Sequence, residues 1–301
     1  MGFLYPWAAT QKGRIPSPDA FDAVRQDIMK AMHRNSDVVA ASVYGSVMRG
    51  DHTSRSDIDL AVVCRKDSIA RVQRFVYGLC AKARVHHVVV SAHVHTVADA
   101  REGHHPFGPS YRVTMQRMHR HKDFVKGVPH QYFLCVDKDV RREMEVKLAR
   151  YIKVLKAQTE KFYGARLNEL PEHMARVWLT ASYQAGNRPF HFYISFARWM
   201  LWWHQHRLDD DSKESVVQAF FEEPSFRHLH ADFRSLRKLD LVYDELLAHA
   251  CAGEITEVLY HREVYHMVAT MYAITARLFE RALTFMRRAP VRERERLRLA
   301  A

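Results

Sequence analysis

The sequence predicts an α/β (α+β) protein in two parts: a small mixed-sheet domain over residues 1–136, followed by an all-α helical domain over residues 137–301. Three observations lead there. Two β-branched apolar runs, Val38 to Tyr44 and Leu60 to Cys64, flank a polar turn, and an amphipathic helical stripe lies on either side of the pair. From Val140 onward the apolar period is helical to the end of the chain. With 301 residues and 48% hydrophobic content, the chain can bury two cores.

Ser17-Pro18 signals a helix start, Phe21, Val24, Ile28 and Met32 form its buried stripe, and Asn35 ends it before the first strand. After the second strand, Asp67-Ser68 opens a helix with Ile69, Val72, Val76 and Leu79 inward. The run Val85 to Val90 reads as the next strand, with His87, Val89 and Ser91 on one face and His86, Val88 and Val90 on the other. Strand, helix, strand is the order that a parallel pairing needs. Residues 102–130, rich in His, Gly and Pro, read as irregular, and Gln131 to Val136 as an edge strand. Beyond them, Val140, Met144, Leu148, Ile152 and Leu155 form one stripe, and further helices are predicted at 174–185, 190–206, 212–221, 233–252 and 255–286. Phe190, Phe192, Tyr193, Phe196, Trp199, Trp202 and Trp203 cover all sides of one of these helices, which marks it as a central core helix or as a subunit interface.

The polar turn carries the chemistry. Gly45-Ser46 is followed by Asp57 and Asp59 with Ile58 between them, so strand alternation puts both carboxylates on one face and Ile58 in the core. Two neighbouring carboxylates repel unless a cation lies between them, and Mg²⁺ (or Mn²⁺) favours carboxylate and phosphate oxygens. Gly45 permits a tight turn, so that amides near Ser46 and its hydroxyl can hold triphosphate oxygens, and Arg49 can add a charge-assisted contact. This is the donor set of metal-assisted phosphoryl transfer, with Asp57 and Asp59 as metal ligands and catalytic residues.

Gly45-Ser46, Arg49-Gly50 and Ser56-Asp57-Ile58-Asp59-Leu60 resemble the signature of the nucleotidyltransferase superfamily that includes DNA polymerase β. Within it they look most like the small bacterial and archaeal minimal nucleotidyltransferases and the aminoglycoside-type enzymes. The resemblance covers about residues 17–96. It implies a nucleoside triphosphate substrate with Mg²⁺, nucleotide contacts from Gly45, Ser46, Arg49 and Ser56, and transfer of a nucleotidyl group to an acceptor hydroxyl. It also implies that the helical domain shapes the acceptor site. Members usually carry a third acidic residue on the next core strand. No carboxylate stands in Val85 to Val90, and the expectation is that His87 takes that place as a general base. The alternatives are a carboxylate from elsewhere, Asp99 or Glu102, and a chain that binds nucleotide or RNA without turnover.

The formal net charge is +12, and residues 1–135 hold 19 Lys and Arg against 11 Asp and Glu, a net +8. Arg101, Arg112, Arg117, Arg120, Lys122 and Lys126 crowd one stretch opposed only by Glu102 and Asp123. A basic field attracts RNA or tRNA and repels a polycationic acceptor, so RNA is the favoured partner; a small-molecule or protein acceptor is the alternative. His93 and His95 share a strand face if the strand runs that far, yet no Cys-x-x-Cys or His-Glu-x-x-His pattern accompanies them, which disfavours zinc. Cys64, Cys80, Cys135 and Cys251 lack framework spacing and read as reduced and buried, as in a cytoplasmic protein. No apolar run reaches membrane-spanning length and no export signal is evident. An oligomer through the aromatic-rich helix is compatible with this pattern.

Overall fold

A computed structural model describes residues 3–101, 124–127, 132, 140–164, 189–205 and 212–288. They divide into two compact units, one of Ile15–Val140 with Asp210–Lys213 and one of Met1–Arg14, Arg141–Asp209 and Glu214–Ala301. The expected first domain, 1–136, thus differs at its start. Helix α1 (Trp7–Gln11) belongs to the helical unit, where Tyr5 N–H donates to Tyr243 Oη at 2.7 Å and Gln11 Nε2 donates to Ala250 O at 2.9 Å. Tyr260 Oη donates in turn to Tyr5 O at 2.6 Å. Tyr243 and Tyr260 are buried, and their hydroxyls find partners in a backbone more than two hundred residues away, which no local pattern reveals.

The first unit begins with α2 (Pro18–Arg34), capped by Ser17, whose Oγ accepts from Ala20 N–H, and buries Phe21, Val24, Ile28 and Met32 as the stripe predicts. There follow β1 (Val38–Tyr44), a single turn α3 (Ser46–Arg49), β2 (Ile58–Cys64), α4 (Ile69–Ala83), β3 (Val90–Thr96), α5 (Val97–Arg101) and β4 (Phe124–Lys126). The sheet order is β3-β2-β1-β4. β1 runs antiparallel to both β2 and β4, and β2 runs parallel to β3 across the α4 connection. On one face Val38, Ala41, Val43, Ile58, Leu60, Val62 and Cys64 pack with α2 and with Val72 and Val76 of α4. On the other, Ala40, Tyr44, Ala61 and Val63 pack with Ala100 of α5.

Two expectations are corrected. Residues 84–86 form a short 3₁₀ turn rather than a strand, and His87 follows it with a left-handed φ of 60°. Val88 N–H donates to Ala83 O while Val88 itself is fully buried, so the apolar run serves to close the α4 connection and leaves Val85 76% exposed. The edge strand β4 lies within the stretch read as irregular; Lys126 pairs with Ala41 in the sheet, and its Nζ donates to Asn35 O at 2.6 Å. The strand expected at 131–136 falls outside the described residues apart from Tyr132.

The helical unit contains α6 (Val140–Gly164), α7 (Pro189–Gln205), α8 (Lys213–Glu222), α9 (His230–Ala252) and α10 (Glu257–Arg288), with the first residue of α8 counted in the sheet unit. The helix expected at 174–185 is outside the described residues. Met144, Leu148, Ile152 and Leu155 are buried along α6, and Tyr193, Phe196, Trp199, Trp202 and Trp203 are buried along α7. Phe196 stacks on Phe279 of α10 with centroids 5.0 Å apart, and Trp203 meets Phe285 edge-on at 5.6 Å. The described aromatic residues of α7 are therefore core, which removes the basis for an interface through them. Asp232 of α9, 4% exposed at its side chain, accepts from Arg277 Nε of α10 at 2.8 Å and forms an ion pair with Arg281 of the same helix at 3.0 Å. Cys64 is buried, with its thiol pushed up to about 11 by burial and by the nearby Asp37 charge; Cys251, expected to be buried, is exposed. No described helix is long and apolar enough to cross a membrane.

Asp37, at the entry to β1, accepts from Arg71 Nε at 2.9 Å, Arg71 Nη2 at 3.1 Å and Ser68 Oγ at 2.9 Å, tying the strand to the start of α4. The Arg71 fork and the Ser68 hydroxyl hold its carboxyl down at about 2. Because the folded value lies below the unfolded one, this tie stabilises fully above about pH 4 and fades as pH falls toward 2. Acid unfolding followed by circular dichroism should therefore show Asp37→Asn losing part of the stability drop between about pH 4 and 2, with the difference shrinking in high salt.

Candidate active site

The β1–α3 turn is built around Gly45, whose φ of 84° and ψ of −158° fall in a region open essentially to glycine alone. A Cβ there would collide with Asp59 Oδ2, so the missing side chain is what lets the carboxylate lie against the turn. Tyr44 and Asp59 are partners in the antiparallel register, which delivers the carboxylate to that place. Arg49 N–H donates to Gly45 O and Asp51 N–H to Ser46 O, each at 3.2 Å, and Gly50 ends the turn in the left-handed conformation at φ 77°. Ser46 is buried under this turn.

The loop from α3 to β2 is closed by reciprocal bonds: Thr53 N–H donates to Ser56 Oγ at 2.9 Å, and Ser56 N–H donates to Thr53 O at 2.9 Å. Arg49 Nε donates to Asp51 Oδ2 at 3.2 Å, and Lys213 N–H donates to the same oxygen at 2.9 Å. Lys213 Nζ donates to Asp51 O, also at 2.9 Å. Burial raises the Asp51 carboxyl, but the Arg49 charge and hydrogen bond, with Lys213 behind them, outweigh it and hold it below the ordinary range. Within this unit Asp51 thus links Lys213 to Arg49.

Asp57 is fully buried immediately before β2, and Asp59 is half-buried two residues on, on the same face, with Ile58 in the opposite core. Ser91 Oγ of β3 donates to Asp57 Oδ2 at 2.5 Å. In the parallel register Ser91 stands beside Asp59, His93 beside Ala61 and His95 beside Val63, so Ser91, His93 and His95 share the carboxylates' face. Burial pushes the His93 imidazole below its usual range, against the pull of the Asp57 charge.

The structure sets Gly45 against Asp59, with Asp57 on the same strand face, Ser46 next in the turn and Arg49 at its end. Ser56 uses its hydroxyl inside the loop. His87 lies outside the sheet in the connection before β3, so it does not occupy a strand position beside the carboxylates; Ser91 does. Asp99 is engaged in a reciprocal cap, its Oδ2 accepting from Thr96 N–H and Oγ1 while its own N–H donates to Thr96 Oγ1. Glu102 is outside the described residues. Among the described residues no three His, Cys, Asp or Glu side chains converge with metal-binding geometry. The donor set at Asp57 and Asp59 is two hard oxygens, which fits Mg²⁺ or Mn²⁺ completed by phosphate and water and does not fit a closed zinc site.

Sequence reasoning missed Ser91, Asp51 and Lys213. The start of β3 at Val90 rather than Val85 hides the first, although strand alternation puts Ser91 on the same side as His87; the other two depend on a contact spanning 162 residues. Residues 26–91 match the family described as polymerase beta, nucleotidyltransferase. The chain carries a nucleotidyltransferase domain of the DNA polymerase β-like superfamily. No curated protein matches the chain significantly.

Gly45→Ala should destabilise the protein by roughly 1–3 kcal/mol in urea unfolding, because it combines a glycine-only backbone with the collision at Asp59. Ser46→Ala, which breaks neither constraint, should cost clearly less.

Proposed function

We propose that the protein transfers a nucleotidyl group from a nucleoside triphosphate to an acceptor hydroxyl on RNA, tRNA included, with Asp57 and Asp59 holding Mg²⁺ or Mn²⁺. The observation that carries this reading is the Asp59 carboxylate lying against Gly45 of the β1–α3 turn, with Asp57 on the same strand face. Gly45 keeps the turn close enough for Ser46 and its neighbouring amides to reach triphosphate oxygens beside the carboxylates. Ser91 holds Asp57 in one orientation through its hydroxyl, which limits the cost of burying that carboxylate. Arg49 supplies positive charge at the end of α3, and Asp51 holds it in place. A divalent cation, when bound, would offset the charge that develops on the phosphates and polarise the attacked group. In the transfer, the acceptor hydroxyl gives its proton to water, its oxygen bonds to the α-phosphorus, the α–β phosphoanhydride bond breaks, and pyrophosphate leaves. The net +8 of residues 1–135 supports a polyanionic acceptor.

A second reading, nucleotide binding without turnover, draws on one observation: the strand position beside Asp59 holds Ser91, and no third acidic side chain joins the pair among the described residues.

Incubation with each α-labelled nucleoside triphosphate, Mg²⁺ or Mn²⁺ and total RNA should place label in RNA, and Asp57→Ala or Asp59→Ala should lower incorporation at least a hundredfold, on the scale of losing a main electrostatic contributor to phosphoryl transfer. Label on a small molecule or protein instead would move the acceptor assignment there. If the Ser91–Asp57 bond supports a working site, Ser91→Asp should reduce incorporation by setting a second carboxylate against Asp57; a rise in activity would favour the second reading.

A further inference from the structure

The last turns of α10 form the wall of an open groove of about 700 Å³ in the helical unit, lined by His228, Glu280, Arg281, Thr284, Phe285 and Arg288. Helical spacing puts Arg277, Arg281, Thr284 and Arg288, at i, i+4, i+7 and i+11, on one stripe, and all four are exposed. At 1.5 Å per residue the three arginines span about 16 Å, too long for one small anion and suited to successive phosphates. Their charge is only partly balanced. Arg277 and Arg281 share the single carboxylate of Asp232, and Glu280 pairs with Lys156 of α6. Burial, reinforced by the Arg281 charge, holds the His228 imidazole below its usual range, so the groove's positive charge comes from guanidiniums. Beside the stripe stands an aromatic wall: Phe285 is half-buried, its ring 5.0 Å from His228 and backed edge-on by Trp203 and Phe226. Guanidiniums alternating with a braced aromatic ring are the elements from which single-stranded nucleic-acid sites are made.

We propose that this groove binds a single-stranded nucleic-acid segment, with Arg281 and Arg288 contacting phosphates and Phe285 with His228 offering a stacking surface to a base. The proposal rests on the reading of an RNA acceptor and gives that acceptor a place on the helical unit, but binding there requires no turnover. The test is fluorescence anisotropy of a short unstructured RNA oligonucleotide with the full chain across a salt series, with binding of a fluorescent ATP analogue and RNA labelling measured in parallel. Thr284→Glu with Arg288→Glu, which leaves the Asp232 pairs untouched, should weaken RNA binding at least about tenfold and lower the slope of log affinity against log salt by about 1. Phe285→Leu should weaken it about fivefold or more with little change in slope. Wild-type affinity in the Thr284/Arg288 double variant would overturn the groove assignment whether or not transfer to RNA is observed. Equal losses of heparin and RNA binding in that variant, with Phe285→Leu indifferent, would overturn the nucleic-acid assignment in favour of a general polyanion site. RNA binding that depends on the groove in a protein that labels no RNA would support the groove while removing the catalytic reading.

Discussion

The approach of the Asp59 carboxylate to Gly45 is the constraint on which the rest of the site depends. It couples three levels of structure. The antiparallel register of β1 and β2 sets Asp59 beside Tyr44, the glycine-only backbone at 45 clears the space, and the short turn that follows brings Ser46 and Arg49 over the same strand ends. A one-residue slip in β1–β2 pairing would move Asp57 and Asp59 to the opposite face and Ile58 out of its core, so the hydrophobic pattern that stabilises the sheet also fixes the chemistry. Asp57 is fully buried, the hydrogen bond that Ser91 donates offsets part of the cost of that burial, and Ser91 is placed there by the parallel pairing of β2 with β3.

Electrostatic ties hold the loops around this frame. Asp37 secures the start of α4 through Arg71 and Ser68, and Asp51 gathers Arg49 and Lys213 beside the glycine turn. These pairs differ in kind. The Asp37 fork is exposed enough to be screened by salt, whereas Arg49 is nearly buried, so its tie to Asp51 fixes a geometry more than it adds stability. In the helical unit the corresponding element is Asp232, a buried carboxylate paired with two arginines of α10.

Much of this was legible in the sequence, for physical reasons that also mark where legibility stops. The α2 stripe, the two central strands, the α4 crossover and the long helices follow from periodicity and capping, which are local. The Gly45-Ser46 turn and the Asp57–Asp59 pair were readable because turn, spacing and alternation agree within fifteen residues. His87 was misplaced because Val85 to Val90 has β-branched composition but ends a helix: Val88 fills the core from a turn, and the strand begins only at Val90. The packing of residues 3–14 with the helical unit and the clasp of Lys213 on Asp51 are long-range contacts with no local signature.

The central claim is that Asp57 and Asp59 form a metal site completed by a nucleoside triphosphate. Titration of Mn²⁺ followed by electron paramagnetic resonance, with and without a non-hydrolysable triphosphate analogue, addresses it without requiring the acceptor. The account predicts that the analogue and Mn²⁺ each tighten binding of the other in the native protein, and that Asp59→Asn removes this mutual enhancement while leaving the fold intact by circular dichroism. Mutual enhancement of the same size in Asp59→Asn would contradict it.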